Sequence, residues 1–397
     1  MKWVSAFSFL PINYGVELSR IKDQTQRVSF ESNLNGERVR VRLSNKYSRS
    51  ELRLERVTVG IARGDRVEQV RAITRGGCPE ILLAPGEEAW SDEAELPVRA
   101  GDRLAVTSYV NNMQGVESVC AFWSAAGPLV RLGRSGDHTD GSPFEAVSSA
   151  EIYPVIAMDA NPVKAYFFYG FSGVQVLTDD SVKTVAVFGD SITHMAFLSN
   201  ALYARLAAAY PGKVSVINRG IGGNRLLRDA TKIDFLPAEG ACFGPAGVSR
   251  FEEDVFGQER VDAVLVLEGI NDIMHPIQFG HPEELVTAEE LADGFRRLIA
   301  AARRHGAKIF GATVTPSGSP VYPAEWMPRF EEVRRDINRQ LLEGIGFDGC
   351  FDYDAAVRDP ARPDYMREDC HICDGLHPND KGGALMAERV DLAAIME

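Results

Sequence analysis

Thr184-Val185-Ala186-Val187-Phe188-Gly189-Asp190-Ser191-Ile192 is the stretch on which the fold turns. Its first five residues form an unbroken apolar run, as a strand buried on both faces requires. Gly189 permits a sharp exit from that strand. Ser191 then stands at a helix start, where free N–H groups and the helix dipole favour developing negative charge. An Asp-Ser pair in that place is ordinarily a cap, so the stretch alone does not argue for chemistry. The alternation continues downstream with a helix from Ala196 to Tyr210, a strand from Val214 to Ile217, a strand from Ala263 to Leu267 and another from Ile309 to Val314. Between the last two a helix is predicted from Leu291 to His305. Thr287 and Glu290 form its capping box, Leu291, Phe295, Leu298, Ile299 and Ala302 its apolar face, and Gly306 its stop. Strands and helices in alternation mean a parallel α/β sheet covered on both sides. In such sheets the chemistry gathers in loops beyond the carboxyl ends of the strands.

Upstream of Asp179-Asp180 the texture differs. Val39–Leu43, Leu52–Val59 and Arg103–Tyr109 alternate at the strand period, and Gly36, Gly64, Pro85-Gly86 and Gly101 punctuate them. No amphipathic helix and no internal repeat stands out. We therefore expect residues 1–178 to form an antiparallel β-sandwich, jelly-roll-like, and residues 179–397 to form the α/β domain.

Length and composition agree with two domains. A chain of 397 residues, 45% hydrophobic and 25% charged, is long for one domain and ordinary for a globular protein. The 43 basic and 56 acidic residues leave a net charge of −13, which makes phosphate backbones and anionic membranes poor partners. No apolar run reaches membrane-spanning length. The opening residues, Met1 to Pro11, lack a clear cleavage site, so a cytoplasmic location is expected. Six cysteines spread over this length are no disulfide framework.

Four motifs fall just after predicted strands or before the last helix. Gly189-Asp190-Ser191-Ile192 is the first. Asn218-Arg219-Gly220-Ile221-Gly222-Gly223-Asn224-Arg225 is the second; glycine-rich loops are usually plain turns, but one can also bring a bare backbone N–H into a site. Gly269-Ile270-Asn271-Asp272 is the third, a turn by composition, with a side-chain amide that could face an oxyanion. Asp374-Gly375-Leu376-His377-Pro378-Asn379 is the fourth. Its spacing lets Asp374 accept from the imidazole Nδ1–H while Nε2 remains a base, and Pro378 keeps His377 out of helical geometry. A lone histidine in a loop is more often structural. Together, however, the four supply an activated hydroxyl, a base, a group that orients the base, and oxyanion donors, which is the full requirement for acyl transfer.

These blocks resemble the SGNH (GDSL) hydrolase superfamily over roughly residues 183–397. The resemblance implies a three-layer, flavodoxin-like sheet. It also implies a catalytic Ser191, His377 and Asp374, an oxyanion hole of Ser191, Gly223 and Asn271, and no metal or organic cofactor. Which glycine of the loop aligns is decided by its spacing from Asn218, which favours Gly223. The strings Gly220–Asp229 and Leu267–Ile273 are similar to the acetyl-xylan-esterase-like branch, whose members carry an N-terminal β-sandwich. Val41–Tyr47 resembles that sandwich too. The implied activity is removal of small acyl groups, acetyl first, from plant polysaccharides or oligosaccharides. Two rival readings stand beside it: a lysophospholipase or thioesterase on the same fold, and a catalytically inert carbohydrate-binding protein. Arg225 and Arg228 could meet substrate hydroxyls, or could equally be solvated or paired with Asp229. Cys370-His371-Ile372-Cys373, directly before the histidine motif, lacks the second cysteine pair a zinc site needs, and reads as two reduced, packed thiols rather than a redox pair.

Overall fold

The computed structural model describes residues 1–154, 163–319 and 323–397. The chain divides into two compact units, Met1–Val182 with Ala207–Ile217, and Lys183–Leu206 with Asn218–Glu397.

The first unit is antiparallel. One sheet orders its strands Lys2–Ser8, Gly170–Thr178, Gly36–Ser44 and Glu88–Trp90, with Ala94–Val98 also paired to Gly36–Ser44. A second large sheet, beside three smaller ones, orders Ala146–Val147, Leu129–Gly133, Gln24–Ser32, Asp102–Val110, Arg56–Arg63 and Arg66–Ile73. The period-two pattern sets the inner face of the first sheet. Val39, Val41 and Leu43 are fully buried, while the arginines between them point the other way. Phe7 from one sheet stacks on Phe30 from the other at 4.5 Å, so the two sheets close over a shared aromatic core. Outside that core Arg40 lies between the rings of Trp3 and Trp90, at 4.5 and 4.2 Å. One expectation needs correcting. Leu52–Val59 is not one strand: Leu52–Leu54 pairs with Ile81–Leu83, and a new strand begins at Arg56. The break falls at Glu55, whose N–H leaves the strand to donate to Tyr109 O. A short helix, Ser149–Ile152, is capped reciprocally by Ser148 and Glu151 and buries no residue.

The second region is α/β. Its strands are β1 (Lys183–Gly189), β2 (Val214–Gly220), β3 (Ala263–Leu267), β4 (Lys308–Ala312) and β5 (Gly349–Phe351). Their order in the sheet is β2-β1-β3-β4-β5, and the β1–β3, β3–β4 and β4–β5 pairs are parallel. Helices α1 (Ser191–His194), α2 (Phe197–Ala209), α3 (Gly247–Phe256), α4 (Ile270–Gln278), α5 (Ala288–Arg304), α6 (Met327–Glu343) and α7 (Asp380–Glu388) alternate with the strands. The capping box at Thr287 is present and starts α5 at Ala288, a turn ahead of the predicted Leu291; Gly306, at φ +69°, follows its end. The order has one consequence for function. The chain runs from β1 out to β2 and then crosses back to β3 on the other side of β1. Sheets of this order bind ligands where the direction of winding reverses, which here is beyond the carboxyl end of β1. Among the described residues no helix is long and apolar enough to cross a membrane.

Candidate active site

Ser191 is the first residue of α1, directly beyond β1 at that reversal. The turn that delivers it is tight. A Cβ on Gly189 would sit 2.2 Å from Leu267 O, so only glycine lets β1 run this close to β3 at its end. Asp190 caps α1, its Oδ1 accepting the Ile192 N–H at 2.9 Å. The cap is buried, and burial pushes its carboxyl well above the usual carboxylate range.

Ser191 Oγ lies 2.7 Å from His377 Nε2, and His377 Nδ1 lies 2.6 Å from Asp374 Oδ2. The other carboxylate oxygen, Asp374 Oδ1, accepts the backbone N–H groups of Leu376 and His377 at 3.0 and 2.9 Å. Burial pushes the Asp374 carboxyl up, but the hydrogen bond and charge of His377 and the two backbone donors outweigh it, and the group is held below its ordinary value. Asp374 is thus an anion that fixes both the ring and the main chain of the residue it serves. A hydroxyl, an imidazole and a carboxylate joined in this order can move a proton off Oγ and stabilise the imidazolium that results.

The glycine loop lies beside the serine: a Cβ on Gly222 would be 3.9 Å from Ser191 Cβ. The Gly222 N–H donates to His194 Nδ1 at 3.1 Å and is therefore already used. No hydrogen bond from the Gly223 or Ser191 N–H is found among the described residues. Gly223 has φ +72°, and a Cβ there would come within 2.2 Å of the Phe243 ring, so conformation and space both require glycine. Asn271 stands on the first turn of α4, buried, with one N–H of its side-chain amide donated to Asn224 O at 2.8 Å. An amide has a second N–H, which can donate to an oxyanion.

Residues of the motifs to which the sequence assigns no catalytic role hold this loop. Asp272 accepts the N–H groups of Leu226 and Leu227 at 2.6 and 2.9 Å; burial raises its carboxyl to about 6. Asn224 donates to Phe243 O and Pro245 O at 2.6 and 2.8 Å. Arg225 is buried and bonds Asp229 O and Glu284, so it faces the protein rather than a substrate, whereas Arg228 is exposed. Cys370 and Cys373 are both free thiols, but only Cys370 is packed; Cys373 is exposed, which corrects the expectation of two packed thiols. Cys370 is buried, with Sγ 3.3 Å from Asp369 Oδ1, and burial pushes its thiol up to about 11, which leaves almost no thiolate at neutral pH. Among the described residues no cluster of His, Cys, Asp and Glu could hold a metal ion.

Residues 187–385 match the GDSL-like lipase/acylhydrolase family. Solved structures similar to the chain include LAE5, an α/β hydrolase enzyme from the metagenome of Lake Arreo, at 22% identity over 54% of this chain and 94% of that one, with a TM-score of 0.40. A variant of the acetyl xylan esterase from Geobacillus stearothermophilus is similar at 21% identity over 52% and 92%, with a TM-score of 0.38. A GDSL-like lipase from Bacteroides thetaiotaomicron is similar at 15% identity over 53% and 87%, with a TM-score of 0.39. No curated protein matches the chain.

Proposed function

We propose that this chain, which belongs to the GDSL-like lipase/acylhydrolase family, is a serine esterase that removes small acyl groups, acetyl first, from carbohydrate. The observation that carries the reading is the continuous chain of hydrogen bonds from Ser191 Oγ through His377 to Asp374. Ser191 Oγ attacks the ester carbonyl while His377 Nε2 takes its proton, and Asp374 stabilises the imidazolium. The N–H groups of Ser191 and Gly223 and the side-chain amide of Asn271 receive the oxyanion of the tetrahedral intermediate. As it collapses, the bond to the alcohol breaks and His377 returns the proton to the leaving oxygen. Water then attacks the acyl-enzyme by the same route, frees the carboxylic acid and restores Ser191. Every group in this cycle belongs to the chain itself.

Acetyl and carbohydrate enter through the likeness of Gly220–Asp229 and Leu267–Ile273 to the acetyl-xylan-esterase-like branch. The discriminating experiment is acetate release from acetylated xylan, mannan and their oligomers, beside nitrophenyl esters from acetyl to octanoyl. Acetate from a glycan, with activity falling steeply along the ester series, supports the carbohydrate reading. Activity sustained to octanoyl with no acetate from any glycan replaces it with a lipid or thioester substrate.

A further inference from the structure

Arg250 takes no part in the mechanism above, yet it is only 5% exposed and sits behind the loops that perform it. It projects from α3, and each of its five N–H donors has an acceptor. Nε donates to Asn224 Oδ1 at 2.8 Å. Nη1 donates to Arg219 O at 3.0 Å and to Asp254 Oδ2 at 2.9 Å. Nη2 donates to Gly189 O at 2.8 Å and to Glu268 Oε1 at 3.3 Å. The flat face of the guanidinium lies 4.1 Å from the centre of the Phe188 ring.

Asp254 lies one turn on along α3, and three of the other acceptors belong to neighbouring strand ends. Arg219 is on β2 ahead of the glycine loop, Gly189 ends β1 two residues before Ser191, and Glu268 follows β3 three residues before Asn271. The fourth link runs to the loop itself. Arg250 holds the Asn224 side chain, and the main-chain carbonyl of the same residue holds the Asn271 amide. A buried ion pair is a weak device for stability, because apolar side chains of similar volume often serve as well. A planar fork with five fixed donors is instead suited to setting several backbones in register.

We propose that Arg250 is a positioning residue for the reaction, fixing the Asn271 oxyanion donor through Asn224. It touches neither substrate nor reacting atoms. This rests on the serine-esterase reading. Its effect therefore belongs to the transition state, where donors must meet a charge that the ground state lacks, and should appear in kcat rather than KM.

The test is Arg250→Lys, which keeps the positive charge but replaces the fork by a point donor. Kinetics on nitrophenyl acetate are normalised to the fraction of chains that a fluorophosphonate labels, and a melting curve is recorded beside them. The expected result is kcat lowered about 10²-fold, as for a small misplacement of a catalytic group, with KM within about twofold. In Arg250→Lys combined with Asn271→Ala, kcat should fall little below that of Asn271→Ala alone, because both changes remove the same donor. If Arg250→Lys does not fold, Asn224→Ala cuts the loop side of the link, together with the bonds to Phe243 O and Pro245 O, and carries the same expectation. Normal kcat per labelled chain, or effects that multiply in the double variant, would overturn the proposal. An inactive wild-type protein would instead sink the esterase reading on which it stands.

Discussion

The side-chain amide of Asn271 donates to the main-chain carbonyl of Asn224 at 2.8 Å, which ties the first turn of α4 to the loop after β2. In the proposed mechanism that bond orients the amide, and its other N–H receives the oxyanion. Asn271→Ala should therefore lower kcat ~10²–10³-fold and change KM little, since the ground-state carbonyl gains less from this donor than the oxyanion does. Michaelis kinetics on nitrophenyl acetate check it. A rise in KM with normal kcat would mean that Asn271 binds substrate only.

Gly223→Ala places a methyl where the Phe243 ring stands and forces φ +72° on a residue that resists it. Overpacking and backbone strain together should cost about 1–3 kcal/mol in stability. Activity should fall as well, because the loop can accept the methyl only by moving the Gly223 N–H. Pairing it with Phe243→Leu relieves the clash but not the φ, so urea midpoints should recover in part while kcat remains low.

Asp374→Asn keeps the shape of the side chain but removes the anion that selects the His377 Nδ1–H tautomer. By analogy with the corresponding change in serine proteases, kcat should drop on the order of 10⁴-fold. The backbone donors Leu376 and His377 still find an oxygen, so circular dichroism and melting temperature should stay near those of the wild type. A comparable loss of melting temperature would assign Asp374 to the fold instead.

His275 carries a pH signature. Burial, reinforced by the positive charge of Arg225, lowers its pKa from 6.5 to about 3. Thr231 Oγ1 is 2.9 Å from Nδ1, and the rings of Phe243 and Phe279 pack beside the imidazole. The unfolded chain binds a proton here between those two values and the folded chain does not, so stability falls with acid. The contribution is complete above the unfolded pKa and is lost as pH drops toward the folded one. Buried Asp272, raised to about 6, works in the opposite sense over part of the same range, so the wild-type curve alone does not isolate the histidine. His275→Gln does: its urea midpoint should fall less between pH 7 and about pH 5 than the wild-type midpoint. Equal falls in both proteins would show that His275 is charged in the native state.

Much of the catalytic region is legible in the sequence because its signals are local. An unbroken apolar run marks β1, a capping box marks α5, and the four motifs lie in loops or at helix starts around the site. What escapes reading is contact with backbone. Arg250 meets the carbonyls of Gly189 and Arg219, which any residue type would present, and it lies 26 positions beyond Asn224, outside every element predicted from the sequence. Asp272 belongs to a motif that was legible, but its partners are two leucine N–H groups with no signature of their own. The break at Glu55 and the three residues of β5 are hidden for a different reason: neither is long enough for a period to show.

The central claim is that Ser191 forms the acyl-enzyme, and covalent labelling tests it most directly. The wild-type chain is treated with a fluorophosphonate, its intact mass is read, and the modified peptide is sequenced, with Ser191→Ala in parallel. The account predicts one adduct per chain, on Ser191, with nitrophenyl acetate hydrolysis lost in step with labelling, and neither adduct nor hydrolysis in Ser191→Ala. An adduct on a different residue, or hydrolysis by Ser191→Ala at the wild-type rate, would contradict it.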